Sequence, residues 1–449
     1  MNTLDDMYTR LDTLQAAREA AFSTCMDLVF ERHDFYRERL GGLGLKRERF
    51  RSLADLSLLP ITFKSDYMHA PERFVLCTDG LPLEMRTVWD TMYTTGSSGQ
   101  PTPFVSTSYD FYNILRLQRN MLQLRGVRQT DVIANLFPLT QAPHGAWIRV
   151  LHAAASLNVP VFSALPGNPS QYFTLGNRLD EVIGLIASHR ATILWGVPSY
   201  VYRVVQRAAE LKMDFSAVRL LFVTGEALGD EARLQLLQAL QGVGAAKAQI
   251  SVSYGATEMQ GGMVECVAGS GFHNALPAHL MVEVVDPETH LQVPDGQPGW
   301  VVLTHLQRRG TVLLRYALGD LSVRTQVACP HCGVVTDRLI KTPQRVDAML
   351  KIKGMLVHPG NVVVQLDAVL GATPFQMGVL AAREGQSLSG DILELRVEAA
   401  TDDALERELI QTVKDACGVT PIIVFVSAQS LMTSDSSWKA RKFVDHRPH

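Results

Sequence analysis

The sequence predicts an α/β protein: a large N-terminal domain of mostly parallel sheets and helices with a hairpin-rich part, then a small α+β C-terminal domain. Three observations predict it. Between about residues 108 and 252, helix-period stretches alternate with short apolar runs, a spacing that implies parallel βαβ units. After about residue 280 the helical patterns stop, and β-rich runs follow one another as hairpins. From about residue 345 onward the pattern again mixes helices and strands. The expected domains are therefore 1–344, with the hairpin-rich part at about 280–344, and 345–449.

At 449 residues the chain is too long for one core, which agrees with two domains. A net charge of −3 gives no electrostatic case for nucleic acid or an anionic membrane. No run of 18 apolar residues exists, and the start, Met1-Asn2-Thr3-Leu4-Asp5-Asp6, lacks the regions of a signal peptide. The expected location is the cytoplasm. Six cysteines in a chain of this length do not suggest a disulfide scaffold.

In chain order, Leu11, Leu14, Ala17, Ala21, Cys25, Leu28 and Val29 at helical spacing predict one helix over 4–41. A helix, a loop, a second helix and a proline-ended turn follow to about Asp66. Helices are expected at 108–125, 145–157, 177–189, 198–212 and 229–241. Strands are expected at 131–136, 159–163, 191–195, 218–223 and 247–252. In the last region, strands near 349–357, 391–398 and 421–426 accompany helices near 360–369 and 402–416.

The chemistry is organised around Tyr93-Thr94-Thr95-Gly96-Ser97-Ser98-Gly99-Gln100-Pro101-Thr102, in which seven of ten residues are Gly, Ser or Thr. Glycine lets backbone N–H groups approach an anion closely, and the hydroxyls add donors, so the stretch reads as a phosphate cradle. It is not a Walker loop. The bland reading is a polar surface loop. A second cluster, Ser253-Tyr254-Gly255-Ala256-Thr257-Glu258, directly follows the expected strand 247–252. Ligands of open α/β sheets bind at the carboxyl ends of strands, and a Thr and a Glu there suit a nucleotide phosphate and its Mg²⁺. Three further short patterns follow: Arg315-Tyr316-Ala317-Leu318-Gly319-Asp320, an acid after an expected tight turn; Arg345-Val346-Asp347 at the expected domain boundary; and Trp438-Lys439-Ala440 near the end. Each alone reads equally as a turn or a solvated charge.

Together and in this order, the five patterns resemble the adenylate-forming superfamily of acyl-CoA synthetases, specifically its phenylacetate–CoA ligase branch, from about residue 35 to 447. The resemblance implies that Thr94, Thr95, Gly96, Ser97, Ser98 and Gly99 bind phosphate, that Thr257 contacts phosphate and that Glu258 holds Mg²⁺. It places Gly225, Glu226 and Ala227 along the adenine, with Tyr254 and Gly255 in the same nucleotide site. Asp320 matches the ribose-binding aspartate, Arg345 an arginine on the nucleotide, Asp347 the hinge of a mobile lid domain, and Lys439 the catalytic lysine of adenylation. Two departures stand out: Gln100 replaces the usual lysine after the glycine-rich loop, and Trp438 the usual glycine before Lys439.

A carboxylate attacking the α-phosphate of ATP is anion meeting anion, so catalysis rests on positioning and charge neutralisation. Mg²⁺ on Glu258, the loop donors and Lys439 supply that charge, and a thiol then takes the acyl group. CoA is the expected acceptor, and an aromatic acid fits the branch. An acyl-AMP ligase that loads an acyl carrier protein or forms an amide is an alternative, with no fused carrier domain expected after Lys439. A catalytically inactive nucleotide-binding homologue is another, motivated by Gln100 and Trp438. For the acid pocket, Phe137, His144 and Trp147 after the strand 131–136 offer an apolar, partly aromatic wall with one polar group. The bland reading of His144 is an ordinary loop histidine.

Cys329-Pro330-His331-Cys332 is a two-ligand bite for Zn²⁺, with Cys266 and His273 able to complete a Cys₃His set. The branch carries Cys and His at similar positions, in some members as a zinc site, which implies a structural Zn²⁺ with four protein ligands. The alternative is reduced thiols in a loop. His331 is the residue most easily mistaken for a ligand, and Cys25, Cys77 and Cys417 have no partners by pattern.

Overall fold

A computed structural model describes residues 7–93, 102–139, 145–167, 176–226, 228–345, 350–352, 355–357, 359–380, 391–427, 430–431 and 442–446. The chain forms two compact units, neither of them one continuous stretch. The first is Met1–Ile133, Leu139–Val161 and Ser251–Gln344; the second is Ala134–Pro138, Phe162–Ile250 and Arg345–His449.

The first unit opens with a helix pair where one helix is expected over 4–41. Leu11–Arg32 ends at His33, whose backbone is extended (φ −113°, ψ 103°), and Asp34–Gly42 follows. The buried His33 ring makes the break: Nδ1 accepts from the Tyr36 N–H at 3.3 Å, capping the second helix, while Nε2 faces the Val312 carbonyl at 3.3 Å. Periodicity continues across such a break, so the sequence does not display it. The first helix is anchored by Arg18, which donates to the Pro277 carbonyl at 2.8 Å and pairs with fully buried Asp337.

The hairpins follow as expected. Leu280–Val285, Pro298–His305 and Tyr316–Thr325 pair antiparallel in succession. Arg338–Leu339, Phe272–His273 and Gly261–Val264 continue the order. Gly261–Val264 folds back antiparallel on the end of Gln249–Ala256, with Tyr254 opposite Met263 and Gly255 opposite Gly262. The latter strand runs four residues past its expected end at 252. Four of the six residues of the polar cluster are therefore strand, and Thr257–Met259 is a 3-10 turn.

In the second unit, Ile193–Gly196 and Leu220–Thr224 run parallel, Ile193 opposite Leu220, as the βαβ reading requires. The Leu136 N–H donates to Trp195 and the Ala164 N–H to Asn135, both at 2.9 Å, which extends the ladder. Helices Leu179–Ser188, Pro198–Glu210 and Asp230–Gly242 present Val182, Ile183, Ile186, Val201, Val204, Val205 and Leu236 as buried apolar faces. The remainder is a four-stranded sheet in the order Ile422–Phe425, Ile392–Val397, Phe375–Leu380, Phe443–Asp445, with helices Pro359–Leu370 and Asp403–Cys417. Two of these strands, Phe375–Leu380 and Phe443–Asp445, carry no expectation from the sequence. The expected strand 349–357 is instead a hairpin of Leu350–Ile352 and Met355–Val357. The α/β class stands. Among the described residues, no helix is long and apolar enough to cross a membrane.

Candidate active site

Strand Val88–Tyr93 leads into the glycine-rich stretch and pairs antiparallel with Pro103–Thr107. The register slips between Val88 and Asp90, leaving Trp89 as an extra, bulged residue. Thr94, Thr95, Gly96, Ser97, Ser98, Gly99 and Gln100 lie outside the described residues. The return strand is firmly held: Thr107 and Asp110 cap helix Ser108–Leu124 reciprocally. The Asp110 carboxylate also accepts from the Arg309 and Gly310 N–H groups at 2.8 and 2.7 Å.

The Tyr254–Glu258 stretch sits where strand gives way to turn, with Thr257 and Glu258 half-buried. The Tyr254 hydroxyl donates to the Asp320 carboxylate at 2.6 Å, which brings two separately expected nucleotide residues together. Asp320 does not follow a tight turn. It lies in a bulge inside Tyr316–Thr325, where Gly319 adopts φ +78°, a conformation open to glycine at little cost. Two residues to which the sequence assigns no role hold Glu258. The Tyr316 hydroxyl faces its carboxylate at 3.4 Å, and the buried His305 donates from Nε2 to its backbone carbonyl at 2.9 Å. His305 Nδ1 accepts from the Leu313 N–H at 3.0 Å, so the ring is needed in its neutral form. Burial first, then the nearby Arg308 charge, pushes its pKa down to about 3. A histidine in the run Leu303-Thr304-His305 gives no local hint of this role.

In the second unit, Gly225 (φ +86°) is exposed, and the Glu226 carboxylate accepts from the Ser199 N–H at 3.1 Å and its hydroxyl at 2.9 Å, at the start of helix Pro198–Glu210. Phe137 is buried there. Trp147 is half-buried in helix Gly145–Leu157 of the first unit. Arg345 is exposed in the short strand Gln344–Arg345. Ala227, His144, Asp347 and Lys439 lie outside the described residues.

The cysteine pattern closes on itself within the first unit. The ligand atoms of Cys266, His273, Cys329 and Cys332 all lie within 4.8 Å of one another, and His331 is not among them. Cys266 and Cys329 Sγ are 3.8 Å apart, and Cys332 Sγ lies 3.5 Å from His273 Nε2. Such separations match the edges of a tetrahedron with metal–sulfur distances of about 2.3 Å. The His273 Nδ1–H donates to the Val264 and Gly271 carbonyls at 3.0 and 3.1 Å, which turns a free Nε2 toward the sulfurs, the outer support a metal-binding imidazole needs. A hydrogen bond from Cys332 holds the Cys266 thiol well below its ordinary range; the same contact raises Cys332. The residues present fit a zinc ion. Of the remaining cysteines, Cys25 is buried, Cys77 exposed and Cys417 half-buried.

The AMP-binding enzyme family matches residues 81–307, just over half of the chain. The chain belongs to this family. Its relatives extend the match well beyond that segment. It is 26% identical to the phenylacetate–coenzyme A ligase of Thermus thermophilus, over 97% of both chains. It is 23% identical to that of Escherichia coli K12, over 97% of this chain and 96% of the relative. This AMP-binding enzyme thus sits in the phenylacetate–CoA ligase branch of the adenylate-forming superfamily. By that membership it is an AMP-forming acid–thiol ligase. Among solved structures, 2-hydroxyisobutyryl-CoA ligase in its postadenylation state superposes with a TM-score of 0.79 at 21% identity, over 98% of this chain and 91% of that one. The same ligase in its thioesterification state gives 0.66 at 22% identity, over 98% and 91%. These likenesses establish the fold.

Proposed function

We propose that the chain joins an aromatic carboxylic acid to CoA through an acyl-adenylate, using MgATP. The observation that carries this reading is the Tyr254–Asp320 hydrogen bond, which joins the Thr257–Glu258 turn to the aspartate expected on ribose. In the first half-reaction the acid's carboxylate attacks the α-phosphate and pyrophosphate leaves; in the second, the CoA thiol attacks the acyl carbon and AMP leaves. Thr257 and the donors of 94–99 take phosphate charge, and Lys439 adds an ammonium during adenylation only. Glu258, its backbone held by His305, is the residue to hold Mg²⁺, which when bound neutralises phosphate charge. Asp320 and Arg345 serve the nucleotide, Gly225, Glu226 and Ala227 its adenine, and Phe137, His144 and Trp147 the acid. Region 345–449 is the lid and Asp347 its hinge, so that Lys439 leaves before the thiol arrives.

Release of pyrophosphate across a panel of aromatic and aliphatic acids, with CoA, a carrier protein or an amine as acceptor, tests the reading. Aromatic acids with CoA should give the highest kcat/KM. A preference for aliphatic acids would overturn the aromatic assignment, and transfer only to a carrier protein or an amine would overturn CoA. Lys439→Ala should lower adenylation by about 10²-fold while sparing thiolysis of a supplied acyl-adenylate. Equal loss in both half-reactions contradicts the lid assignment.

We assign the Cys266, His273, Cys329 and Cys332 cluster to a structural zinc. Four protein ligands leave no open position for substrate. Such a metal ties strand Phe272–His273 to the 329–332 loop, and a metal that binds only the folded chain adds its binding energy to stability. Cys329→Ser or Cys332→Ser should lower Tm and zinc content together, by elemental analysis of protein purified without added metal. Substoichiometric zinc in the wild type, with unchanged Tm in both variants, would show reduced thiols instead.

A further inference from the structure

Helix Gly145–Leu157 carries a buried arginine that neither the motifs nor the proposed mechanism uses. The Arg149 side chain is 8% exposed. Its Nη2 donates to Gln260 Oε1 at 2.6 Å. Its Nη1 faces Asp90 Oδ2 at 3.4 Å and His152 Nδ1 at 2.9 Å. The three partners come from different places in the first unit. Asp90 stands in strand Val88–Tyr93, immediately after the bulged Trp89 and four residues before Thr94. Gln260 ends the turn that carries Thr257 and Glu258.

Gln260 is itself constrained. Its backbone is left-handed, φ +54°, an uncommon conformation for a residue with a side chain, and it reverses the chain between the 3-10 turn and strand Gly261–Val264. Its side-chain amide donates to the Thr257 carbonyl at 2.6 Å. A guanidinium can only donate and a carbonyl can only accept, so both partners demand the same amide orientation. The result is a continuous chain of hydrogen bonds from Asp90 through Arg149 and Gln260 to the Thr257 peptide. His152 fits the arrangement: burial, then the Arg149 charge, holds its pKa down to about 4, so its neutral Nδ1 can accept from the guanidinium.

We propose that Arg149 is a positioning residue for adenylation, fixing the strand that feeds the glycine-rich loop at a set distance from the Thr257–Glu258 turn. The proposal rests on the functional reading above, in which both segments act on the phosphates of one MgATP. A fork of fixed shape sets that spacing as a flexible ammonium cannot. A buried ion pair adds little net stability over well-packed apolar groups, so its distinctive contribution here is geometry. Misplacement of reacting groups by about 1 Å costs about 10²-fold in rate.

Three variants test it: Arg149→Lys keeps charge without the fork, Gln260→Leu cuts the link to Thr257, and Asp90→Asn weakens the link to the strand. Each is measured by acid-dependent ATP–pyrophosphate exchange as Mg²⁺ is varied, by thiolysis of a supplied acyl-adenylate with CoA, and by Tm. Arg149→Lys should lower exchange by about 10²-fold and raise the Mg²⁺ concentration for half-maximal rate, with thiolysis kept. Gln260→Leu and Asp90→Asn should shift in the same direction by less. Equal loss in both half-reactions together with a lowered Tm means a structural role and overturns the proposal. Wild-type exchange in folded Arg149→Lys and Gln260→Leu overturns it as well. No exchange by the wild-type chain with any acid overturns the functional reading, and this proposal with it.

Discussion

Asp320 and Tyr254 show what a single contact contributes. The hydroxyl at 2.6 Å orients the carboxylate and leaves it further lone pairs for sugar hydroxyls. Removing a hydrogen bond to a charged group costs about 1.5–3 kcal/mol. Tyr254→Phe should therefore raise KM for ATP by about ten- to a hundredfold, and Asp320→Ala should do more. An unchanged KM in both would remove Asp320 from the nucleotide site. The sequence singles out both residues because each sits in a short motif with local order. It does not single out Arg149. In sequence it is one cation on a helix, a pattern that usually means a solvated face, and its partners Asp90 and Gln260 lie 59 and 111 positions away. His305 was hidden in the same way, since its partner Glu258 is 47 positions distant.

At the scale of elements, the hairpin of Gln249–Ala256 and Gly261–Val264 sets the turn between them. A Cβ on Gly262 would come within 2.8 Å of the Tyr254 carbonyl oxygen, a backbone atom that cannot yield without moving the strand. Gly262→Ala should destabilise by about 1–3 kcal/mol in urea unfolding and lower exchange by displacing Thr257 and Glu258. Wild-type stability and rate would mean that the turn is set elsewhere. Most helices were legible because 3.6-residue periodicity is a local signal. The break at His33 was not, because it depends on a ring that reaches the Val312 carbonyl. Strand Phe443–Asp445 was missed because it is three residues long and exists through its parallel partner, Met377–Val379. Asp320 was read as following a tight turn because a Gly–Asp pair signals a turn, whereas the bulge depends on the neighbouring strand.

At the scale of the whole molecule, three neutral histidines tie stability to pH. His33 and His152 are held down to about 4 and His305 to about 3, in each case chiefly by burial. The unfolded chain titrates them near 6.5. Between those values the unfolded chain binds more protons, so stability falls as pH drops from about 6.5 toward 4. Urea midpoints at pH 7 and pH 5 should differ, the lower at pH 5, and His33→Gln should narrow the gap. Equal midpoints would mean that these rings are protonated in the folded chain. The α/β class was legible because helix-period stretches and short apolar runs alternate locally along the chain, and the branch because five motifs stand in fixed order. The grouping of Ala134–Pro138 and Phe162–Ile250 with the C-terminal region in one compact unit joins segments far apart in the chain, which no local pattern displays.

The central claim, that the Tyr254–Glu258 turn and Asp320 serve acyl-adenylate formation, is tested most directly by ATP–pyrophosphate exchange with an aromatic acid such as phenylacetate and no CoA present. The account predicts exchange that requires both acid and Mg²⁺, is lost in Glu258→Gln, and becomes stoichiometric release of AMP and acyl-CoA once CoA is added. Exchange that is independent of acid, or release of ADP in place of AMP, would contradict it.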